Sequence, residues 1–201
     1  MDHLRIAIVA LGLAPAPSPG TPHEAGASLP VVGEATPLRG WVEFCRRMPS
    51  ECAVPAGGGM RIPLTAATKA RLDKANRAVN DAIRPVTDMD HWGVADRWDI
   101  PTDGKGDCED YVLRKRQVLV AAGMPRAALR VAVVINELNE GHAVLLALTS
   151  GGDLVLDNRT GDVVRWDRTG YTFVKRESDD GRGWSALRPS SVRPAEAASV
   201  R

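Results

Sequence analysis

Close to Gly123 the apolar residues of this chain change their spacing, and that change limits the possible folds more than any other feature. Before it they recur every three or four residues; after it they come in short alternating runs. Thr65 to Ile83 carries Leu72, Ala75, Val79 and Ile83 at helical steps and stops before Pro85. A second helix is expected from about Cys108 to Ala122. Asp107 is its N-cap, Asp110 a short version of the capping-box acid, and Gly123 with Pro125 its stop. Cys108, Tyr111, Val112, Val118, Leu119 and Ala122 share one broad face that should pack beside the first helix, while Arg114, Arg116 and Gln117 point elsewhere. Downstream, the runs Leu129 to Ile135, Ala143 to Leu148, Leu154 to Asp157, Val163 to Trp166 and Tyr171 to Val174 are separated by Gly- and Asn-rich turns. They predict an antiparallel sheet of about five strands. Helices first and strands afterwards define an α+β domain with the helices on one side of the sheet.

The 201 residues suffice for one domain with tails, and a net charge of +1 speaks against nucleic acid as the main partner. Residues 1–27 read as a signal peptide: Arg5, an apolar run from Ile6 to Ala14, then Ala25-Gly26-Ala27 as a small-residue cleavage site. The run is short and Asp2 interrupts the basic start, which a misassigned start codon would explain. Export to the periplasm or medium follows. Residues 28–40 are expected to be irregular, 41–188 to form the domain, and 189–201 to be a disordered Ser/Pro/Ala tail. Beyond the leader no segment approaches the roughly eighteen apolar residues that a membrane span needs. Thr87 to Gly106 reads as a loop rich in Asp and Trp, a composition that tends to line sites.

Three cysteines divide into a pair and a single. Cys45 and Cys52 flank a proline, and export permits the disulfide expected between them. Two free thiols or half a metal site would be the alternatives, but no Cys/His cluster supplies further zinc ligands. Cys108 is then an unpaired thiol at a helix start, where free N–H groups and the helix dipole favour thiolate. Asp107, Glu109 and Asp110 oppose that, so an imidazolium or a metal ion must offset them. A plain buried cysteine is the bland reading.

A thiol nucleophile needs an imidazole to take its proton and an acid to orient the imidazole. His142 opens a strand and Asp157 ends the next. If residues 149–152 form the connecting loop, Asp157 lies across from Val144, with His142 its same-face diagonal neighbour. His3 and His23 fall in the leader and His91 in the acidic loop. Taken alone, His142 could be a strand-end histidine bonded to backbone and Asp157 a turn residue. Trp98 is read as a wall of the substrate groove beside Cys108, though tryptophan is more often core.

Gly106-Asp107-Cys108-Glu109-Asp110-Tyr111, then Gly141-His142-Ala143-Val144 and Leu156-Asp157-Asn158, resemble the bacterial transglutaminase-like cysteine proteinases. The likeness extends to Asn76-Arg77-Ala78-Val79-Asn80, Val94 to Trp98 and Trp166 to Tyr171, so it covers about Trp41 to Leu187. The resemblance implies a papain/transglutaminase-like core with Cys108 as nucleophile, His142 as base, Asp157 as orienting acid, and backbone N–H groups at the helix start as oxyanion hole. It also implies periplasmic proteases that cut surface adhesins and depend on calcium held by acids flanking the cysteine. Asp107 and Glu109 match those flanking positions, although no EF-hand pattern is present.

Three functions therefore stand open: an exported peptidase acting through a thioester acyl-enzyme, an acyl transferase or amidase using the same residues, and a catalytically silent module that binds a protein or peptide. Intact Cys, His and Asp favour the enzymes. Oligomeric state has no signature in the sequence.

Overall fold

In the computed structural model, residues 28–54, 60–181 and 183–188 are described. The signal peptide and the tail expected at 1–27 and 189–201 lie outside them. The chain runs β1 (Val31–Ala35), α1 (Arg39–Arg47), α2 (Pro49–Cys52), α3 (Ala66–Ala82), β2 (Arg84–Pro85), α4 (Asp88–Trp92), β3 (Lys105–Gly106) and α5 (Cys108–Ala121). It continues through β4 (Leu129–Ile135), β5 (Gly141–Thr149), β6 (Gly152–Leu156), β7 (Val164–Arg165), β8 (Thr172–Glu177) and β9 (Trp184–Leu187).

The expected α+β architecture is what the chain adopts. Among the described residues the main sheet has seven strands in the order β1-β9-β8-β4-β5-β6-β7, every pairing antiparallel. Two more strands join it than the alternation predicted. β9 is only four residues long, and β1 lies in residues 28–40, which were expected to be irregular. The correction has a simple cause. β1 is an edge strand whose Val31 and Val32 stay exposed, so it lacks the in-out alternation of a half-buried strand and is held by its ladder to β9.

Residues of β4, β5 and β6 alternate between the two faces. Val131, Ala143, Leu145, Ala147, Leu154 and Leu156 meet the helices together with Phe44, Leu72, Val112, Leu113 and Leu119. Val134, Val144, Leu146, Val155 and Phe173 form a second cluster with Leu29, Tyr171 and Leu187. Thr65 caps α3 by accepting from the Thr68 N–H, and α3 packs beside α5 through Val79, Ile83, Tyr111 and Val118.

α5 begins at Cys108 and is closed by Gly123 at φ +84°, whose neighbour Met124 returns its N–H to Leu119. The expected polar side of α5 is a correction: Arg116 and Lys115 are fully buried. Glu177 on β8 takes both oxygens to Arg116 Nη1 at 3.0 Å and also faces Arg126, which pairs Arg116 with a charge 61 positions away that local periodicity cannot register. The Cys45–Cys52 disulfide forms as expected and ties α1 to α2. The Glu51 carbonyl inside that loop accepts from Arg116 and Arg126.

Candidate active site

The start of α5 is built by close approach. A Cβ at Gly106 would lie 2.5 Å from Asp110 Oδ2, so the residue before the N-cap must be glycine if Asp110 is to fold back over it. Asp110 accepts from the Asp99 N–H at 2.8 Å and thereby fastens the preceding loop to the helix. Asp107 occupies the N-cap position without the expected side-chain cap; its Oδ2 instead accepts from the Asp88 N–H at 3.3 Å. The loop itself is more ordered than its composition suggested. It contains α4, capped by Thr87, and β2 and β3 pair in parallel across it.

Cys108 is the free cysteine of the described residues and is half-buried. Its thiol donates to Glu109 Oε2 at 3.1 Å. Burial pushes the thiol well above its ordinary range, the charge and hydrogen bond of Glu109 push it further, and the backbone N–H of Ala143 works against them. That amide belongs to the residue after His142, so the sulfur lies against the strand that carries the imidazole. The side chain, however, is turned to Glu109.

His142 and Asp157 are brought together as the sequence suggested. Leu145 pairs with Leu156, a register that carried one residue on sets Asp157 across from Val144. His142 Nε2 meets Asp157 Oδ1 at 2.8 Å, with both side chains buried. Tyr171 donates to Asp157 Oδ2 at 2.6 Å and the Arg159 N–H to Oδ1 at 3.0 Å. Burial would raise the Asp157 carboxyl; His142 and Tyr171 outweigh it and hold it below its usual range. Burial and the Asp157 charge push the Tyr171 hydroxyl up. Asn80 donates to the Asp157 carbonyl and, with Asn76, to the Thr160 carbonyl, which pins the turn after β6 to α3.

Trp98 does not wall a groove. It is 3% exposed, its ring meets Trp184 edge-on at 6.5 Å, and its indole N–H goes to Asp96. The groove of about 460 Å³ that reaches Cys108 runs instead between Arg84 to Thr87 and Asn158. Tryptophan's apolar area decided the outcome, since the interior rewards it more than an open cleft does.

Asp107 and Glu109 gain a companion that the sequence reading passed over. Asp88, at the start of α4, brings a carboxylate so that one oxygen from each of the three lies within 4.8 Å of the others. Burial raises Asp107 and Asp88, and it lifts Glu109 and Asp110 to about 8, with the neighbouring acids adding to each. Asp107 Oδ1 is buried with no hydrogen-bond partner. Asp88 also accepts from the Arg97 N–H. An oxygen-only set of crowded carboxylates with an orphaned oxygen fits a hard cation, and this cluster can hold calcium. The only sequence signal for Asp88 was its place in an acid-rich loop.

A cysteine at a helix start packed on an antiparallel sheet that carries a His–Asp pair is the arrangement of papain- and transglutaminase-like hydrolases. Within that class the chain belongs to the bacterial transglutaminase-like cysteine proteinases, whose family model matches residues 32–192. Among solved structures it is similar to calcium-bound Legionella pneumophila LapG, at 27% identity over 66% of this chain and 75% of that one, TM-score 0.51. It is also similar to EGTA-treated LapG, at 28% identity over 61% and 72%, TM-score 0.50. No curated protein matches.

Proposed function

We propose that this protein is an exported cysteine peptidase that hydrolyses peptide bonds of a periplasmic or surface protein, with Cys108 as nucleophile, His142 as base and Asp157 as orienting acid. The observation that carries the reading is the buried His142–Asp157 hydrogen bond at 2.8 Å on the strand whose Ala143 amide faces the Cys108 sulfur. With Nε2 committed to Asp157, the Nδ1 side of the ring is the one left to exchange a proton with the thiol. Asp157, itself held by Tyr171 and Arg159, fixes that tautomer and supports the imidazolium. The thiolate attacks the substrate carbonyl, free N–H groups at the start of α5, that of Cys108 included, receive the oxyanion, and His142 returns the proton to the leaving amine. Water then hydrolyses the thioester.

Asp88, Asp107 and Glu109 would hold calcium, whose charge would neutralise the carboxylates that keep the thiol protonated. The LapG likeness, which includes a calcium-bound form, supports this assignment. An adhesin is the substrate that the family resemblance suggests.

One observation favours the silent binding module: the thiol is hydrogen-bonded to Glu109 and pushed up rather than down. Incubation with a peptide library in calcium, followed by acid quench and intact mass, separates the two. The peptidase reading expects cleaved peptides and a hydroxylamine-sensitive acyl adduct on Cys108; neither product nor adduct would contradict it.

A further inference from the structure

Lys115 lies on the inner stripe of α5, two turns beyond Cys108, and is completely buried. Its Nζ has no hydrogen-bond partner among the described residues and lies 5.8 Å from the centre of the Tyr111 ring. A buried ammonium without partners is costly, and methionine would fill the same space without that cost. Asp157 is the carboxylate whose charge acts on it.

α3, which packs on the Tyr111 and Val118 stripe of α5 through Val79 and Ile83, and the turn it holds leave acceptors unused. Asn76 Oδ1 and Asn80 Oδ1 on α3, and Asn158 Oδ1 beside Asp157, are all buried and unpartnered. The amide groups of Asn76 and Asn80 are the ones that grip the turn from Asp157 to Thr160. An orphaned donor on α5 and orphaned acceptors on the α3 residues that grip this turn are what an ordered water or two would join.

Resting on the triad proposed above, we infer that Lys115 is a positioning residue for Asp157: its buried ammonium, joined through water to the α3 asparagines, is the internal counter-charge that keeps the Asp157 turn and carboxylate aimed at His142. The other charged and titratable groups around the carboxylate are accounted for. His142 takes one oxygen, Tyr171 the other, and the Arg159 guanidinium turns outward to Glu137 at 2.6 Å. From its own helix the Tyr111 ring faces Lys115, and the Tyr111 hydroxyl is committed to the Ile83 carbonyl. Burial drives Lys115 down to about 7, and the Asp157 charge works against that fall.

Two spectroscopic experiments on the full chain test this without any activity, so they stand apart from the peptidase reading. In the first, the Lys115 side-chain amine is titrated by NMR between about pH 5 and 11 in wild type and Asp157→Asn. The inference expects the midpoint to fall by about half a unit or more in the variant; an unchanged midpoint overturns it. In the second, the exchange rate of the His142 ring proton bonded to Asp157 is compared in wild type and Lys115→Met. Exchange about tenfold faster in a variant of native fold is expected, and unchanged exchange overturns the inference. If Lys115→Met does not fold, the titration decides alone.

Discussion

The two ends of α5 handle buried charge in opposite ways. Glu177 is sealed in the core but meets Arg116 and Arg126, the Trp41 indole N–H and the Val131 amide. Burial alone would raise it, and the two guanidinium groups outweigh burial and hold it at about 2. At the Cys108 end, Asp88, Asp107, Glu109 and Asp110 crowd together with no salt bridge to a cation among the described residues, and burial with the neighbouring acids lifts Glu109 and Asp110 to about 8. A charge that serves the fold arrives with its partner. A charge left unpaired beside a nucleophile marks a place where binding or chemistry supplies the partner from outside.

The largest effect that would break this contrast falls at the unpaired end. Cys108→Ala should lower peptide hydrolysis by about ten-thousandfold or more while the melting temperature stays near wild type, read by a peptide-cleavage assay beside circular dichroism. At the paired end, Glu177→Gln leaves Arg116 buried without its anion and should cost about 3–5 kcal/mol in urea unfolding. Reduction of Cys45–Cys52 frees the loop whose Glu51 carbonyl receives both arginines, and should cost about 2 kcal/mol. The smallest effect has the opposite sign: in chelator, Glu109→Gln should stabilise the protein, by about 1 kcal/mol, because it relieves crowding instead of breaking a pair.

The same contrast fixes how stability depends on pH in chelator. Glu109 and Asp110, at about 8 against an ordinary 4.5 and 3.8, contribute stability in their protonated forms. That contribution is complete below about pH 4 and is lost as pH rises to about 8. Glu177, at about 2 against 4.5, contributes fully above its ordinary value and loses its share as pH falls toward 2. Chelated protein should therefore melt highest near pH 5, and calcium should move that maximum upward. A maximum that stays at one pH with and without calcium would break the comparison.

Much of this was legible in the chain because it is local. The helix from Cys108, its stop at Gly123 and the strand from Leu129 to Ile135 follow from spacing and turn residues, while the pairing of His142 with Asp157 rests on a loop assumed at 149–152. What escaped depends on contacts between distant segments. Arg116 reads as outward-pointing in the sequence because its partner Glu177 lies on another element, and the edge strand β1 carries no alternation to read. Asp88 reaches Asp107 and Glu109 only through the packing of α4 against β3, and Trp98 was drawn into the core by Trp184.

The central claim is that Cys108 becomes a reactive thiolate through His142 once the acids around it are neutralised. The direct test is the rate of iodoacetamide labelling of Cys108 between about pH 4 and 9, in wild type and His142→Ala, with calcium and with chelator. The account predicts fast labelling in calcium well below the free-thiol value near 8.5, slowed by chelator and lost in His142→Ala. Slow labelling that rises only above about pH 8 in both proteins, with or without calcium, would contradict it.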